Sequence, residues 1–141
     1  IFFHEFEHAA HVMAEEGRPL TKESLGRAWS DLWLEYYGDA VTLDDEFKGG
    51  WARIPHFYRT YYVWKYATSF AAGEAIAGRF RAGDKTAVQD YLETLKLGGS
   101  VYPMDAVKRA GVDMNDPDVI RAVMDRFRSI LGEMEKILLE E

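Results

Sequence analysis

The sequence predicts an all-α protein of about six helices arranged around one long central helix. Apolar residues recur every three or four positions in several segments, which is the spacing of one helix face. No segment alternates apolar and polar residues over a useful strand length, and glycines and prolines separate the periodic segments. With 141 residues, 48% of them hydrophobic, the chain is long enough to bury a core. We therefore expect a single helical unit, residues 1–141.

Glycines bound the first two predicted helices. The first covers residues 2–16, and because Ile1 is not an initiator and no N-cap precedes this helix, we expect further chain upstream. Its apolar stripe comprises Phe3, Phe6, Ala10 and Met13. Thr21 is the predicted N-cap of the second helix, which ends at Gly38. Its predicted buried face comprises Leu25, Trp29, Leu32, Trp33 and Tyr36. Residues 38–50 form an acidic segment bounded by glycines, and they are predicted to be a loop that can include a short helical turn.

The long central helix is predicted to begin at Pro55 and to end before Gly83. Proline is tolerated in a first helical turn, and no other proline interrupts this segment. Its second half carries little side-chain bulk, so that other helices can approach its backbone closely, and we expect that half to be buried. The small residues are Ala67, Ala71, Ala72, Ala75, Ala77 and Gly78.

Three further helices are predicted towards the C-terminus. The first follows Gly83-Asp84 and presents the apolar residues Val88, Tyr91, Leu92 and Leu95. A short helix begins at Pro103 and stops at Gly111. The last follows Asp116-Pro117 and is amphipathic along its whole length. Its apolar positions are Ile120, Val123, Phe127, Ile130, Met134 and Ile137.

Composition and charge narrow the range of partners. The formal net charge is −7, whereas nucleic acids and anionic membrane surfaces bind clustered lysine and arginine, so we expect neither a nucleic-acid nor a membrane partner. The chain has no cysteine, which excludes disulfides and thiolate metal sites and fits a reducing compartment. No apolar run approaches the length of a membrane span. We therefore expect a soluble, cytoplasmic protein.

A zinc-binding signature lies in the first predicted helix. Residues 4–8, HEFEH, match H-E-x-x-H, in which two imidazoles one turn apart can bind one zinc ion and the glutamate can act as general base. A third ligand is required. His11 lies about 10 Å from His4 along the helix axis, too far to share the ion, so Glu23 or Glu35 would have to serve. The alternative is the polar face of a packed helix.

A second candidate site is rich in tyrosine. Four tyrosines follow His56 closely: Tyr58, Tyr61, Tyr62 and Tyr66. Of these, Tyr58, Tyr62 and Tyr66 recur every four residues. A buried phenol needs a hydrogen-bond partner, and His56 can donate or accept near neutral pH. Converging tyrosine and histidine donors suit an oxyanion or a peptide carbonyl. A tyrosine stripe is also typical of a core or an interface, which is the alternative.

Residues 52–73, ARIPHFYRTYYVWKYATSFAAG, resemble the C-terminal part of the oligoendopeptidase F family, zinc-dependent peptidases of the thimet-oligopeptidase class. The resemblance extends, in the same order, to FFHEFEHAAHVMAEEGRPLT, LWLEYYGD, YLETLKLGGSVYPMDAVKRAGVDMNDPDVI and the closing helix. It covers nearly the whole chain. It implies the helical, C-terminal portion of a zincin-type catalytic domain that hydrolyses short peptides.

The resemblance changes the interpretation of the H-E-x-x-H motif. In that family the zinc helix lies much further upstream of the I-P-H-F-Y segment than His8 lies upstream of His56. Residues 2–17 instead match a later helix with the pattern F-x-x-F-E-x-x-x-H, represented here by Phe3, Phe6, Glu7 and His11. His4 therefore completes the zinc signature by coincidence. The resemblance implies zinc in the full enzyme, with its ligands outside this chain and no metal site within it.

For the tyrosine-rich segment, the resemblance implies substrate handling and transition-state stabilisation opposite the zinc. His56 and Tyr62 match the catalytic histidine and tyrosine of that segment. Tyr66 matches a recurrent tyrosine, and we expect it to bind substrate together with Tyr58. The expected partners are short peptide substrates and the remainder of the same enzyme, without which we expect this chain to be inactive.

Two other interpretations stay open. The chain would be a stand-alone helical interaction module if its aromatic face were simply an interface, and an upstream H-E-x-x-H in the same polypeptide would exclude this. It would be a miniature zincin if His4, Glu5 and His8 bound metal, which metal analysis tests. If the chain is instead a fragment cut from a larger domain, we expect apolar surface to be exposed where the missing helices packed, so that the fragment self-associates or binds the remainder of the enzyme.

Overall fold

A computed structural model describes residues 1–140, and all regular secondary structure within them is helical. The predicted all-α class is confirmed. The α-helices are α1 (Phe2–Glu15), α2 (Lys22–Tyr37), α3 (Trp64–Arg81), α4 (Ala87–Lys96), α5 (Pro103–Arg109) and α6 (Asp118–Leu139). Three 3-10 helices, η1 (Gly38–Ala40), η2 (Phe47–Arg53) and η3 (Pro55–Tyr58), lie between α2 and α3. None of the helices in residues 1–140 combines the length and apolar character needed to cross a membrane.

The chain divides into two compact units, residues 1–67 and 68–141, which are described separately below. That residues 1–141 act as one helical unit remains a prediction.

Aromatic side chains form the core of the first unit, where α1, α2 and η2 pack together. Phe6 and Trp29 are each 2% exposed, and their ring centroids lie 5.1 Å apart. Two glycines permit the close approach of α2 and η2. A Cβ atom on Gly26 would lie 3.2 Å from the carbonyl oxygen of Lys48, and one on Gly50 would lie 3.1 Å from Nε1 of Trp29.

The start of α2 follows the prediction. The side chain of Thr21 accepts a hydrogen bond from the backbone N–H of Ser24, and the Ser24 hydroxyl accepts one from the backbone N–H of Thr21. This reciprocal capping box satisfies donors that a helix start otherwise leaves unpaired. The helix ends at Gly38, which adopts a φ of 51°.

The prediction of one continuous helix from Pro55 was wrong. Pro55 starts only the short helix η3, the chain then turns, and α3 begins at Trp64. Within the turn, Tyr61 adopts a φ of 45°, a left-handed conformation that a helix excludes. The hydrogen bonds that hold this turn come from α1 and are described with the site. Tyr58 and Tyr62 therefore do not share a helix face with Tyr66.

Arg79, near the end of α3, organises the second unit. Its guanidinium donates to Asp84 at 2.8 Å, to Asp90 at 2.8 Å and to the carbonyl oxygen of Ala110 at 2.5 Å. It thereby connects the end of α3 with α4 and with the end of α5. Gly111 adopts a φ of 83°, and a Cβ atom there would lie 1.9 Å from Nη1 of Arg79.

Burial in the second unit is uneven. Ala71 and Ala72 of α3 are buried, as predicted, but the other small residues predicted to be buried, Ala67, Ala75, Ala77 and Gly78, are only half-buried. Phe70 is 66% exposed. The start of α6 is supported by Asp116, whose carboxylate accepts the backbone N–H of Asp118 at 2.9 Å. The predicted amphipathic pattern of α6 is present, but most of its apolar face is exposed: Ile120, Met124, Phe127, Ile130, Leu131, Met134, Ile137, Leu138 and Leu139.

Candidate active site

Two adjacent residues of α1 hold the segment that contains the tyrosines. Phe6 packs against Phe57 of η3, with ring centroids 4.9 Å apart. Glu7 is 2% exposed, and its carboxylate accepts hydrogen bonds from the backbone N–H groups of Tyr62 and Val63 at 2.6 Å and 3.0 Å. One turn of α1 therefore fixes both η3 and the turn that precedes α3.

His56, Tyr62 and Tyr66 are brought together by this arrangement. The hydroxyl oxygen of Tyr66 lies 3.0 Å from Nε2 of His56, within hydrogen-bond distance. The rings of His56 and Tyr62 are stacked with centroids 5.3 Å apart, and those of Tyr62 and Tyr66 lie 6.1 Å apart. Partial burial raises the pKa of the Tyr66 phenol, and the neighbouring Tyr62 raises it further. The Tyr66 phenol therefore stays protonated at neutral pH.

Two cationic side chains lie beside the Tyr62 ring. The guanidinium carbon of Arg59 is 5.4 Å from the ring centroid, and Nζ of Lys65 is 4.6 Å from it. Both distances are within the range of cation–π contacts. Positive charge at this position also favours any negative charge that develops near the phenol hydroxyl. The cluster of His56, Tyr62 and Tyr66 thus combines hydrogen-bonding groups with two cationic side chains that lie beside the Tyr62 ring.

The other two tyrosines point elsewhere. Tyr58 is 69% exposed, and its hydroxyl donates to the carbonyl oxygen of Ala52 in η2 at 2.9 Å. Tyr61 lies against α1, where its ring stacks on His11 at 3.9 Å and its hydroxyl donates to Glu15 at 3.2 Å. Desolvation raises the pKa of the Tyr61 phenol, and the Glu15 carboxylate raises it further. Of the predicted substrate-binding residues, Tyr66 therefore joins His56, whereas the Tyr58 hydroxyl bonds the main chain.

Among the described residues, no third ligand joins the histidines of the H-E-x-x-H motif. The rings of His4 and His8 lie 6.3 Å apart, and the Glu5 carboxylate accepts a hydrogen bond from the Tyr36 hydroxyl at 2.7 Å. Desolvation is the main cause that raises the pKa of the Tyr36 phenol to about 12, and the hydrogen bond to Glu5 contributes to the same increase. Within residues 1–140, no group of three or more His, Cys, Asp or Glu side chains is placed to hold a metal ion. Neither Glu23 nor Glu35 supplies the ligand that the motif requires.

Comparison with known proteins connects this geometry to a family. A model of Peptidase family M3 matches residues 1–126. The chain belongs to peptidase family M3. Oligopeptidase PepF of Bacillus subtilis (strain 168) is 45% identical over 138 residues, which are 98% of this chain and 21% of that protein. Group B oligopeptidase PepB of Streptococcus agalactiae is 43% identical over 138 residues, 96% of this chain and 23% of that protein.

A solved structure agrees with this assignment to family M3. The crystal structure of oligoendopeptidase-F from Enterococcus faecium matches with a TM-score of 0.84 and 42% sequence identity, over 97% of this chain and 26% of that chain. The resemblance to oligoendopeptidase F that the sequence indicated is confirmed. This M3 chain spans less than a third of the length of the relatives that it matches.

Sequence reasoning missed two features of this M3 site. Glu7 was placed in a recurring pattern without a role. Its position beside the apolar stripe of α1 was the one available signal, and glutamate is rarely fully buried. Arg59 was not singled out, because the turn that brings it to Tyr62 depends on α1 and is not encoded within the segment itself.

Proposed function

We propose that this chain is the C-terminal portion of the catalytic domain of a zinc-dependent oligoendopeptidase that hydrolyses peptide bonds in short peptides. The observation that carries the proposal is the cluster of His56, Tyr62 and Tyr66, with its hydrogen bond of 3.0 Å between Tyr66 and His56. Membership of family M3 and relatives named as oligopeptidases support the substrate class. The sequence-based expectation of a cytoplasmic location is part of the same proposal.

Zinc does not fit the residues that the structure describes, because they offer His4 and His8 no third ligand. We therefore propose that the zinc ligands of the full enzyme lie outside this chain. In such enzymes zinc activates the water that attacks the peptide carbonyl. The chain alone would lack that chemistry, so we propose that it is inactive without the remainder of the enzyme, which is its partner.

His56 and Tyr62 are proposed as the catalytic donors of this chain. When a peptide carbonyl is attacked, negative charge develops on its oxygen, and donors placed near that oxygen stabilise the charge more than they stabilise the bound substrate. The positive charge of Arg59 and Lys65 beside Tyr62 acts in the same direction. Tyr66, which contacts His56, and the exposed Tyr58 are proposed to bind the peptide substrate.

Kinetics of the full enzyme test the proposed donors. Tyr62→Phe deletes one hydroxyl and keeps the ring, so we expect kcat to fall by about 10²- to 10³-fold with little change in KM, as for other oxyanion donors. His56→Ala should lower kcat similarly, with some added loss of packing. Tyr61→Phe is the matched control, because the Tyr61 hydroxyl bonds Glu15 on α1. An unchanged kcat in a stable Tyr62→Phe enzyme would make Tyr62 a packing residue and overturn its catalytic role.

A further inference from the structure

Glu7 is a buried carboxylate whose hydrogen bonds all lead to the candidate site. One oxygen accepts the backbone N–H of Tyr62 at 2.6 Å and that of Val63 at 3.2 Å, and the other accepts Val63 at 3.0 Å. The side chain is 1% exposed, with His4 3.8 Å away. An isolated buried carboxylate is strongly unfavourable unless donors satisfy it. Here the donors are the backbone N–H groups of Tyr62 and Val63, which lie directly before the start of α3.

The two N–H groups also need Glu7. The first N–H groups of a helix have no partner within it, and α3 begins at Trp64, directly after Val63. Val63 is 6% exposed, so water does not readily replace the carboxylate. A negative charge at a helix start is favoured by the helix dipole as well. The position of the Tyr62 backbone therefore depends on a residue that is 55 positions earlier in the chain.

We propose that Glu7 is a positioning residue that holds the Tyr62 hydroxyl in register with His56; this rests on the proposed function. The Tyr62 side chain is attached to the Cα atom, which is bonded directly to the backbone nitrogen that donates to Glu7. Phe6, the preceding residue, packs on Phe57, the neighbour of His56. A single turn of α1 thus sets the position of both donors. A displacement of about 1 Å in such a group can cost about 10²-fold in rate.

Glu7→Gln in the full enzyme tests the proposal. The substitution keeps side-chain size, but the amide nitrogen that replaces one oxygen is a donor and faces a backbone N–H of the turn. We expect kcat to fall about 10-fold at nearly constant KM, because the donor is misplaced while the ground-state binding surface remains. Glu5→Gln is the matched control. It makes the same chemical change on α1, but its carboxylate contacts Tyr36 instead of the turn.

A second measurement separates positioning from general stability. In a Tyr62→Phe background the hydroxyl to be positioned is gone, so Glu7→Gln should then lower kcat by less than about 2-fold. A loss that stays near 10-fold in that background, or no loss in the wild-type background, would overturn the positioning role while leaving the proposed donors standing. If Tyr62→Phe alone leaves kcat unchanged, the proposed catalytic role of Tyr62 fails, and the positioning role that rests on it fails as well.

Thermal unfolding of each variant confirms that the enzyme compared is folded. If Glu7→Gln does not accumulate as folded enzyme, Glu7→Asp is carried through the same assays. Aspartate keeps the charge but withdraws the carboxylate by one methylene, and the same dependence on Tyr62 is expected. Equal kcat losses for Glu7→Asp with and without the Tyr62 hydroxyl would overturn the proposal.

Discussion

The hydroxyl oxygen of Tyr66 lies 3.0 Å from Nε2 of His56, and this contact joins the first turn of α3 to η3. A hydrogen bond at Nε2 influences which ring nitrogen of His56 carries the proton and restrains rotation of the ring. The contact therefore links a proposed substrate-binding residue to a proposed catalytic one. It also distinguishes the role of Tyr66 from that of Tyr62, whose ring stacks on His56.

The first prediction follows from this contact. Tyr66→Phe should lower kcat of the full enzyme by about 2- to 10-fold, since a typical hydrogen bond contributes roughly 0.5–1.5 kcal/mol. The loss of kcat should be smaller than that of Tyr62→Phe, because Tyr66 only orients His56, whereas Tyr62 is itself a proposed donor to the substrate. Steady-state kinetics on a short quenched-fluorescence peptide measure both values. A Tyr66→Phe loss equal to or above that of Tyr62→Phe would make Tyr66 the main donor.

The second prediction concerns stability in the second unit. Gly111→Ala should destabilise the fold by roughly 2–4 kcal/mol, because the new Cβ atom requires Arg79 to move and the positive φ of 83° strains alanine. Displacing Arg79 also loosens its bonds to Asp84 and Asp90.

Gly83→Ala is the matched control for this comparison. Gly83 has a similar φ of 71°, but no atom lies within 4 Å of the position of its Cβ. Gly83→Ala should therefore lower the free energy of unfolding only by the backbone strain, about 1–2 kcal/mol. Chemical unfolding of the two variants gives the difference. Equal destabilisation would show that Arg79 adjusts freely and that its position contributes little.

How far the sequence predicted the structure depended on whether the determining contacts were local. The capping box of Thr21 and Ser24 and the stop at Gly38 involve neighbouring residues, and both helix boundaries were predicted correctly. The break after Pro55 was missed, because Tyr61 takes a positive φ in a turn that Glu7 stabilises from α1. A helix-compatible sequence is overridden there by a long-range contact.

The candidate site divides in the same way. His56, Tyr62 and Tyr66 were grouped on helical spacing, and the structure does bring them together, although through a turn and not along one helix face. Tyr58 was included by the same spacing, but the turn between η3 and α3 separates it from the helix face of Tyr66. Its hydroxyl donates to the carbonyl oxygen of Ala52. Only the three-dimensional course of residues 59–63 distinguishes these cases.

The third prediction concerns metal. The chain of residues 1–141, dialysed after loading with zinc, should retain no stoichiometric ion at His4 and His8, because two histidines with no placed third ligand make an incomplete site. The measurement is elemental analysis of wild-type chain and of His8→Ala, which should give the same low content. One tightly held zinc per wild-type chain, lost in His8→Ala, would contradict the prediction and favour the miniature zincin.

The last prediction concerns the exposed apolar face of α6. Phe127 is 59% exposed and Met134 51% exposed, on the side opposite Ser129. Exposed apolar faces of this kind favour association, so the chain of residues 1–141 should self-associate or bind the remainder of the enzyme. Phe127→Lys with Met134→Lys should reduce the associated fraction, because each places a charge on that face, whereas Ser129→Lys on the opposite side should not. Light scattering across a concentration series measures the mass, and a wild-type chain that stays monomeric throughout, with no binding of a hydrophobic dye, would show that this face does not drive association.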